Sequence, residues 1–97
     1  MAEYINFVNG DWQPASISTV SLYDAGFLLG DGLFETIRFQ NGRLFQPEKH
    51  LKRLHSGLNI IQIELDKSNT ELISCLEEMV IRNDIRSGLL RLMITRG

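Results

Sequence analysis

Cysteine is nearly absent from this chain: Cys75 stands alone among 97 residues, so no internal disulfide can form and a reducing cytoplasm is the expected compartment. Proline occurs only as Pro14 and Pro47, and no proline-rich or low-complexity linker divides the chain. No apolar run approaches the ~18 uncharged residues of a membrane-spanning helix, and the start, MAEYINFVNG, lacks the basic and apolar regions of a secretory signal. Neither sign of charge predominates. Ten Lys and Arg against 12 Asp and Glu give a net charge of −2, which offers no basic surface for nucleic acid. There is no HxxH, no CxxC and no carboxylate cluster, so no metal is expected. What remains is an apolar content of 43%, enough for one α+β domain over residues 1–97 with a modest core.

The order of the elements follows from periodicity and turn chemistry. Tyr4 to Val8 reads as a strand, and Asn9-Gly10 is a two-residue hairpin signal leading to Trp12. Ile17 to Leu22 reads as a further strand, broken by Asp24-Ala25-Gly26. Leu33 to Phe39 alternates at period two: Leu33, Glu35, Ile37 and Phe39 share one face, Phe34, Thr36 and Arg38 the other. Asn41-Gly42 then turns the chain back through Arg43-Leu44-Phe45. Pro47 suits the first position of a helix over about residues 48–61, whose apolar stripe is Leu51, Leu54, Leu58 and Ile61. Ser68 with Glu71 forms a capping box that opens a second helix over 69–82, striped by Leu72, Ile73, Leu76, Met79 and Val80. Leu89 to Thr95 is the last strand. The pattern predicts an antiparallel sheet with both helices packed on one side, burying Leu51, Leu54, Leu58, Leu72, Leu76 and Met79.

Several residues could carry chemistry. Gly30-Asp31-Gly32 precedes a strand, not a helix, so it lacks the helix N-terminus of a dinucleotide loop and reads as a turn needing positive φ. His50 and Arg53 lie three apart on one helix face, about 100° from the leucine stripe. Gly57 continues that line and would leave open space beside Arg53. Such a guanidinium suits a phosphate or carboxylate. On spacing alone, a solvated arginine on an amphipathic helix is the weightier reading. Arg91 interrupts an apolar strand on the face of Leu89, Met93 and Thr95, and needs either an acid such as Glu35 or an anionic ligand. His55 reads as a core-edge residue and Cys75 as an apolar filler. Lys49, Lys52 and Lys67 occupy solvent-type contexts without the apolar pocket that activates an amine.

Taken in order, these pieces resemble the N-terminal part of the class IV aminotransferases, the fold-type IV pyridoxal-phosphate enzymes. The matching run is INFVNGDW, Asp24-Ala25-Gly26, Gly30-Asp31-Gly32-Leu33-Phe34-Glu35-Thr36-Ile37-Arg38, Asn41-Gly42, His50-Leu51-Lys52-Arg53-Leu54 and Thr95-Arg96-Gly97. Essentially the whole chain takes part. The resemblance implies that Arg53, as the arginine of H-x-x-R-L, binds the phosphate of pyridoxal 5'-phosphate, which displaces the solvated reading. It implies that Phe34 lines the substrate pocket, with Thr36 and Arg38 on its face, and that Arg91 helps hold a substrate carboxylate. His50 would orient Arg53 or the neighbouring loop.

The family's cofactor-carrying lysine, and the glutamate facing the pyridine nitrogen, lie in a second, larger domain. The resemblance therefore implies that this chain is the small N-terminal domain of a homodimeric enzyme acting on a small amino substrate, and is inactive alone. Branched-chain enzymes usually read F-E-G-I-R at this strand, and D-amino-acid enzymes more often carry tyrosine at the place of Phe34. The form F-E-T-x-R is most like aminodeoxychorismate lyases, which eliminate pyruvate to leave 4-aminobenzoate on the folate route. Transamination of branched-chain or D-amino acids comes next. A non-catalytic interaction domain on the same scaffold is the reading from another class.

Overall fold

A computed structural model describes residues 3–97. Two antiparallel sheets and three α-helices follow one another along the described chain. β1 (Ile5–Val8) and β2 (Asp11–Pro14) form a hairpin, and a short 3-10 turn covers Ala15–Ile17. α1 (Ala25–Leu29) precedes β3 (Gly32–Gln40) and β4 (Arg43–Leu44); α2 (Pro47–Ile60), α3 (Asn69–Asn83) and β5 (Gly88–Thr95) complete the chain. The larger sheet has the order β4-β3-β5, with β5 antiparallel to β3 from Gly32↔Thr95 to Phe39↔Gly88.

Both hairpin turns adopt the conformation their sequences demand. Asn9 and Gly10 have φ of 50° and 93°, and Asn41 and Gly42 have 52° and 76°. Two successive left-handed residues match the twist of the flanking strands, which is why Asn-Gly serves there. The expected strand over Ile17 to Leu22 does not form. Its apolar residues Ile17, Val20 and Leu22 are exposed, with no neighbouring strand among the described residues to complete their hydrogen bonds. The following segment makes α1 instead, a helix the glycine content concealed. Asp24 caps it by accepting from the Gly26 N–H at 2.9 Å, and left-handed Gly30 closes it.

The helices cover one face of the larger sheet. Ile37 and Phe39 of β3 with Leu90 of β5 pack against Leu76 and Val80 of α3. Leu51, Leu54 and Leu58 of α2 join Leu72 of α3, with Leu33, Leu92 and Ile94 against them. Five of the six predicted core residues are buried; Met79 is only half-buried, at the margin of the first cluster. The capping box is intact: Ser68 Oγ accepts from Glu71 N, and Glu71 Oε1 from Ser68 N, each at 3.1 Å. The small hairpin is held to α3 by Asn83. Its amide accepts from Ile5 N at 2.8 Å and donates to Ile5 O at 2.9 Å, a strand-like pairing made by a side chain.

Candidate functional site

Alternation sends the odd-numbered residues of β3 toward the helices, so Glu35 lies among Leu33, Ile37 and Phe39 on the inner face. It is the one charged residue buried with the core among the described residues, 6% exposed. A carboxylate there needs partners for both oxygens. α2 supplies them. Arg53 Nε donates to Oε2 at 3.0 Å and Nη2 to Oε1 at 2.9 Å, a two-point pairing, while His50 Nδ1 lies 2.8 Å from Oε1. An ionised carboxylate only accepts, so His50 must carry its proton on Nδ1. The Arg53 guanidinium holds the Glu35 carboxyl below the usual carboxylate range, against the opposing effect of burial and with help from His50. Glu35 in turn raises the pKa of Arg53, keeping it charged throughout.

The pair is lopsided. The Glu35 side chain is 7% exposed and that of Arg53 75%. A guanidinium has five N–H donors. Glu35 uses one on Nε and one on Nη2, which leaves the end formed by Nη1 and the other Nη2 hydrogen open to solvent. That end matches the oxygens of a phosphate or carboxylate. No open space lies beside Gly57, contrary to expectation: Leu33 fills it, and a Cβ on Gly57 would meet Leu33 Cδ1 at 2.5 Å.

The remaining predicted residues gather on the outer face of the same strands. In register, Phe34 faces Met93, Thr36 faces Arg91 and Arg38 faces Leu89. The Arg91 guanidinium lies 4.6 Å from the centre of the Phe34 ring. Arg91 does not pair with Glu35, because the two side chains leave opposite faces of the sheet. Phe34, Leu89 and Met93 are exposed, and Arg38 borders an open hollow of about 340 Å³ lined also by Phe39, Gln40, Ser87, Gly88 and Leu89. Arg53 is not part of this group. β4 pairs only with Phe39 and Gln40, so the β3 edge nearer Glu35 has no strand partner among the described residues.

Sequence reasoning missed Glu35 as the hub of the cluster. The signal was present, since an acid on the apolar face of a strand must find a cation on whatever packs over that face. Only its pairing with Arg91 was considered. The motif pieces at both ends of β3 and β5 have a structural part. Thr95 Oγ1 donates to Asp24 Oδ1 at 2.9 Å, Gly26 lies against Thr95, and Arg96 spans Asp31 and the carbonyls of Ile61 and Gln62. Lys49, Lys52 and Lys67 are exposed. Burial pushes the Cys75 thiol up, the reverse of an activated nucleophile. His55 bonds Asn69 at 2.6 Å, tying α2 to α3. Among the described residues no cluster of His, Cys, Asp and Glu could hold a metal ion, and no helix is long and apolar enough to cross a membrane.

The chain is thus an α+β domain with a basic fork on one side of the larger sheet and an arginine-aromatic strand surface on the other. Residues 32–97 match the amino-transferase class IV family, and the chain belongs to it. It is 37% identical over 91 residues to D-alanine aminotransferase of Staphylococcus aureus (strain MSSA476), covering 94% of this chain and 32% of that protein. The branched-chain amino acid aminotransferase of Escherichia coli superposes with a TM-score of 0.89 at 26% identity, over 100% of this chain and 33% of that one. A branched-chain amino acid aminotransferase from T.th., solved with pyridoxamine 5'-phosphate, gives 0.87 at 27% identity, over 100% and 33%. The chain thus spans about a third of the length of the relatives it matches. The relatives are enzymes, and pyridoxal phosphate is the cofactor of the family.

Proposed function

We propose that this chain forms the small N-terminal domain of a longer, homodimeric pyridoxal-phosphate enzyme that transfers the amino group of a small amino acid. The observation that carries the reading is the half-engaged Arg53, anchored by a buried acid while its outer donors stay free. An exposed arginine with no task beyond solubility has no need of a carboxylate placed in the core. The residues present fit the phosphate of the cofactor: Arg53 would hold it, and His50 would steady the carboxylate behind it. Pyridoxal phosphate, when bound, draws electrons from the substrate's α-carbon.

The other side of the strand pair would meet the substrate. Arg91 supplies a charge for a carboxylate, and the Phe34 ring beneath it restricts where that charge can go. Phe34, Leu89 and Met93 offer apolar surface for a side chain, and Thr36 and Arg38 complete the row. The cofactor-carrying lysine belongs to the other two-thirds of such an enzyme. The similarity to D-alanine aminotransferases at 37% identity, and to a branched-chain amino acid aminotransferase at 26%, favours transamination of a D- or branched-chain amino acid.

A second reading stays beside it, elimination of pyruvate from aminodeoxychorismate, favoured by Phe34-Glu35-Thr36-Ile37-Arg38, where Thr36 takes the place of a glycine usual in branched-chain enzymes. The two differ in whether an acceptor is needed. Amino transfer from D-alanine requires a 2-oxo acid; elimination does not. Full-length protein given D-alanine or L-leucine, each with and without 2-oxoglutarate, and aminodeoxychorismate without an acceptor, separates them. Acceptor-dependent glutamate formation supports transfer. Formation of 4-aminobenzoate without acceptor replaces it with the lyase, and loss of none of the three substrates defeats both.

A further inference from the structure

We infer that Glu35 is a positioning residue for the anion site on Arg53: its buried carboxylate sets the direction in which the open end of the guanidinium points. The inference rests on the reading of Arg53 as a phosphate anchor. Glu35 occupies a position where its neighbours on the same face, Leu33, Ile37 and Phe39, are apolar, and where an apolar residue would pack without desolvating a charge. The pair does little for the core from the arginine's side, because that side chain is 75% exposed. What the carboxylate does is geometric.

A free arginine on a helix samples many rotamers, and an anion that binds it must order them all. Here Nε and Nη2 are both engaged, by different oxygens of one carboxylate, at 3.0 and 2.9 Å. Two parallel bonds fix the guanidinium plane as well as its position. His50 fixes the carboxylate in turn, at 2.8 Å on the oxygen shared with Nη2. The three side chains come from two rigid elements, β3 and α2, with no loop between a partner and its support. The Nη1 end is therefore presented ready-made.

Positioning and plain electrostatics predict opposite signs for one substitution. Glu35→Gln removes a negative charge beside an anion site, which by charge alone tightens phosphate binding. If Glu35 orients Arg53, the same change weakens it, because glutamine offers one acceptor oxygen and turns an N–H₂ toward the guanidinium. Glu35→Asp keeps the charge and shortens the reach, and positioning predicts weakening there too.

The test compares pyridoxal 5'-phosphate with pyridoxal, which lacks the phosphate, by equilibrium dialysis on the full-length protein. Alongside it, the Arg53 Nε–H order parameter is measured by ¹⁵N NMR on the 97-residue chain. Glu35→Gln and Glu35→Asp should each weaken the phosphorylated ligand by about 3- to 10-fold, the worth of one oriented hydrogen bond. Pyridoxal binding should not change, and the Nε–H should lose its order. Unchanged or tighter binding of pyridoxal phosphate in both variants overturns the inference, as does parallel loss of both ligands, the mark of a general structural role. Arg53→Lys is the control for the underlying reading: if it too leaves pyridoxal phosphate affinity unchanged, Arg53 is not the phosphate anchor. If Arg53→Lys weakens binding and the Glu35 variants do not, the anchor stands and only the role given to Glu35 falls.

Discussion

Replacing Arg53 by alanine takes away the open end of the fork and the partner of a buried acid together. In the full-length protein, Arg53→Ala should weaken pyridoxal phosphate by roughly 10- to 150-fold, the worth of a charge-assisted pair lost from a phosphate. From sequence, a helical arginine should be neutral for stability. The structure reverses that, because Glu35 is left with His50 alone, so the melting temperature of Arg53→Ala should fall. Glu35→Leu should behave differently, since the exposed guanidinium can be solvated and leucine suits the inner face; its melting temperature should match or exceed the parent's. Thermal melts of the two variants side by side check both signs.

The same pair sets a pH dependence. Glu35 titrates lower in the folded chain than in the unfolded one, chiefly through its bonds from Arg53, so folding stability from the pair is complete above the unfolded carboxyl value of about 4.3. It is lost as the pH falls through the lower, folded value. Melting temperature should therefore drop on acidification below about pH 4, and Glu35→Gln should flatten part of that drop. Asp31 and Glu71 keep part of the slope, since Arg96 lowers the one and the bonds from Ser68 lower the other. Melts from pH 7 to pH 2 on both chains measure the difference.

At the scale of elements, the glycines divide by what surrounds them. A Cβ on Gly32 would lie 2.5 Å from the Ile94 carbonyl oxygen and 3.0 Å from Thr95 Cα, both backbone of the paired strand. Gly32→Ala should cost about 1–3 kcal/mol, since neither atom can move without breaking the ladder. Gly57 meets only the end of the Leu33 side chain, which can change rotamer. Alanine there also gains helix propensity, so Gly57→Ala should be close to neutral. Urea melts of the two variants should separate clearly. The capping box offers a third test: Ser68→Ala should cost about 1 kcal/mol, the usual worth of such a cap, because Glu71 N then loses its acceptor.

At the scale of the whole molecule, the sheet has helices on one face and bare side chains on the other. Phe34, Leu89 and Met93 stand exposed there, while Phe27, Leu28 and Leu29 are exposed along α1. The proposed phosphate anchor and substrate wall both lie on this chain. Lys49, Lys52 and Lys67 are exposed, outside the apolar surroundings that would activate an amine. The 97-residue chain mixed with pyridoxal phosphate and reduced with borohydride should give no stoichiometric adduct at any of these lysines by peptide mass mapping.

Local chemistry made much of this architecture legible beforehand. Asn-Gly pairs dictate left-handed turns, Ser68 and Glu71 cap a helix wherever it packs, and the alternation of β3 assigns its two faces without a partner in view. Those features depend on residues a few positions apart. Ile17 to Leu22 misled because an apolar run becomes a strand only when a neighbour completes its hydrogen bonds. α1 was hidden because glycine disfavours a helix, and the capping Asp24 is steadied by Thr95, 71 positions further along the chain. Arg53 and His50 could be placed on one face of α2 by spacing, and their phosphate role rested on resemblance. That Glu35 meets them instead of Arg91 was decided by tertiary packing alone: a carboxylate on the inner face can reach only what α2 lays over it, while Arg91 leaves the opposite side of the sheet.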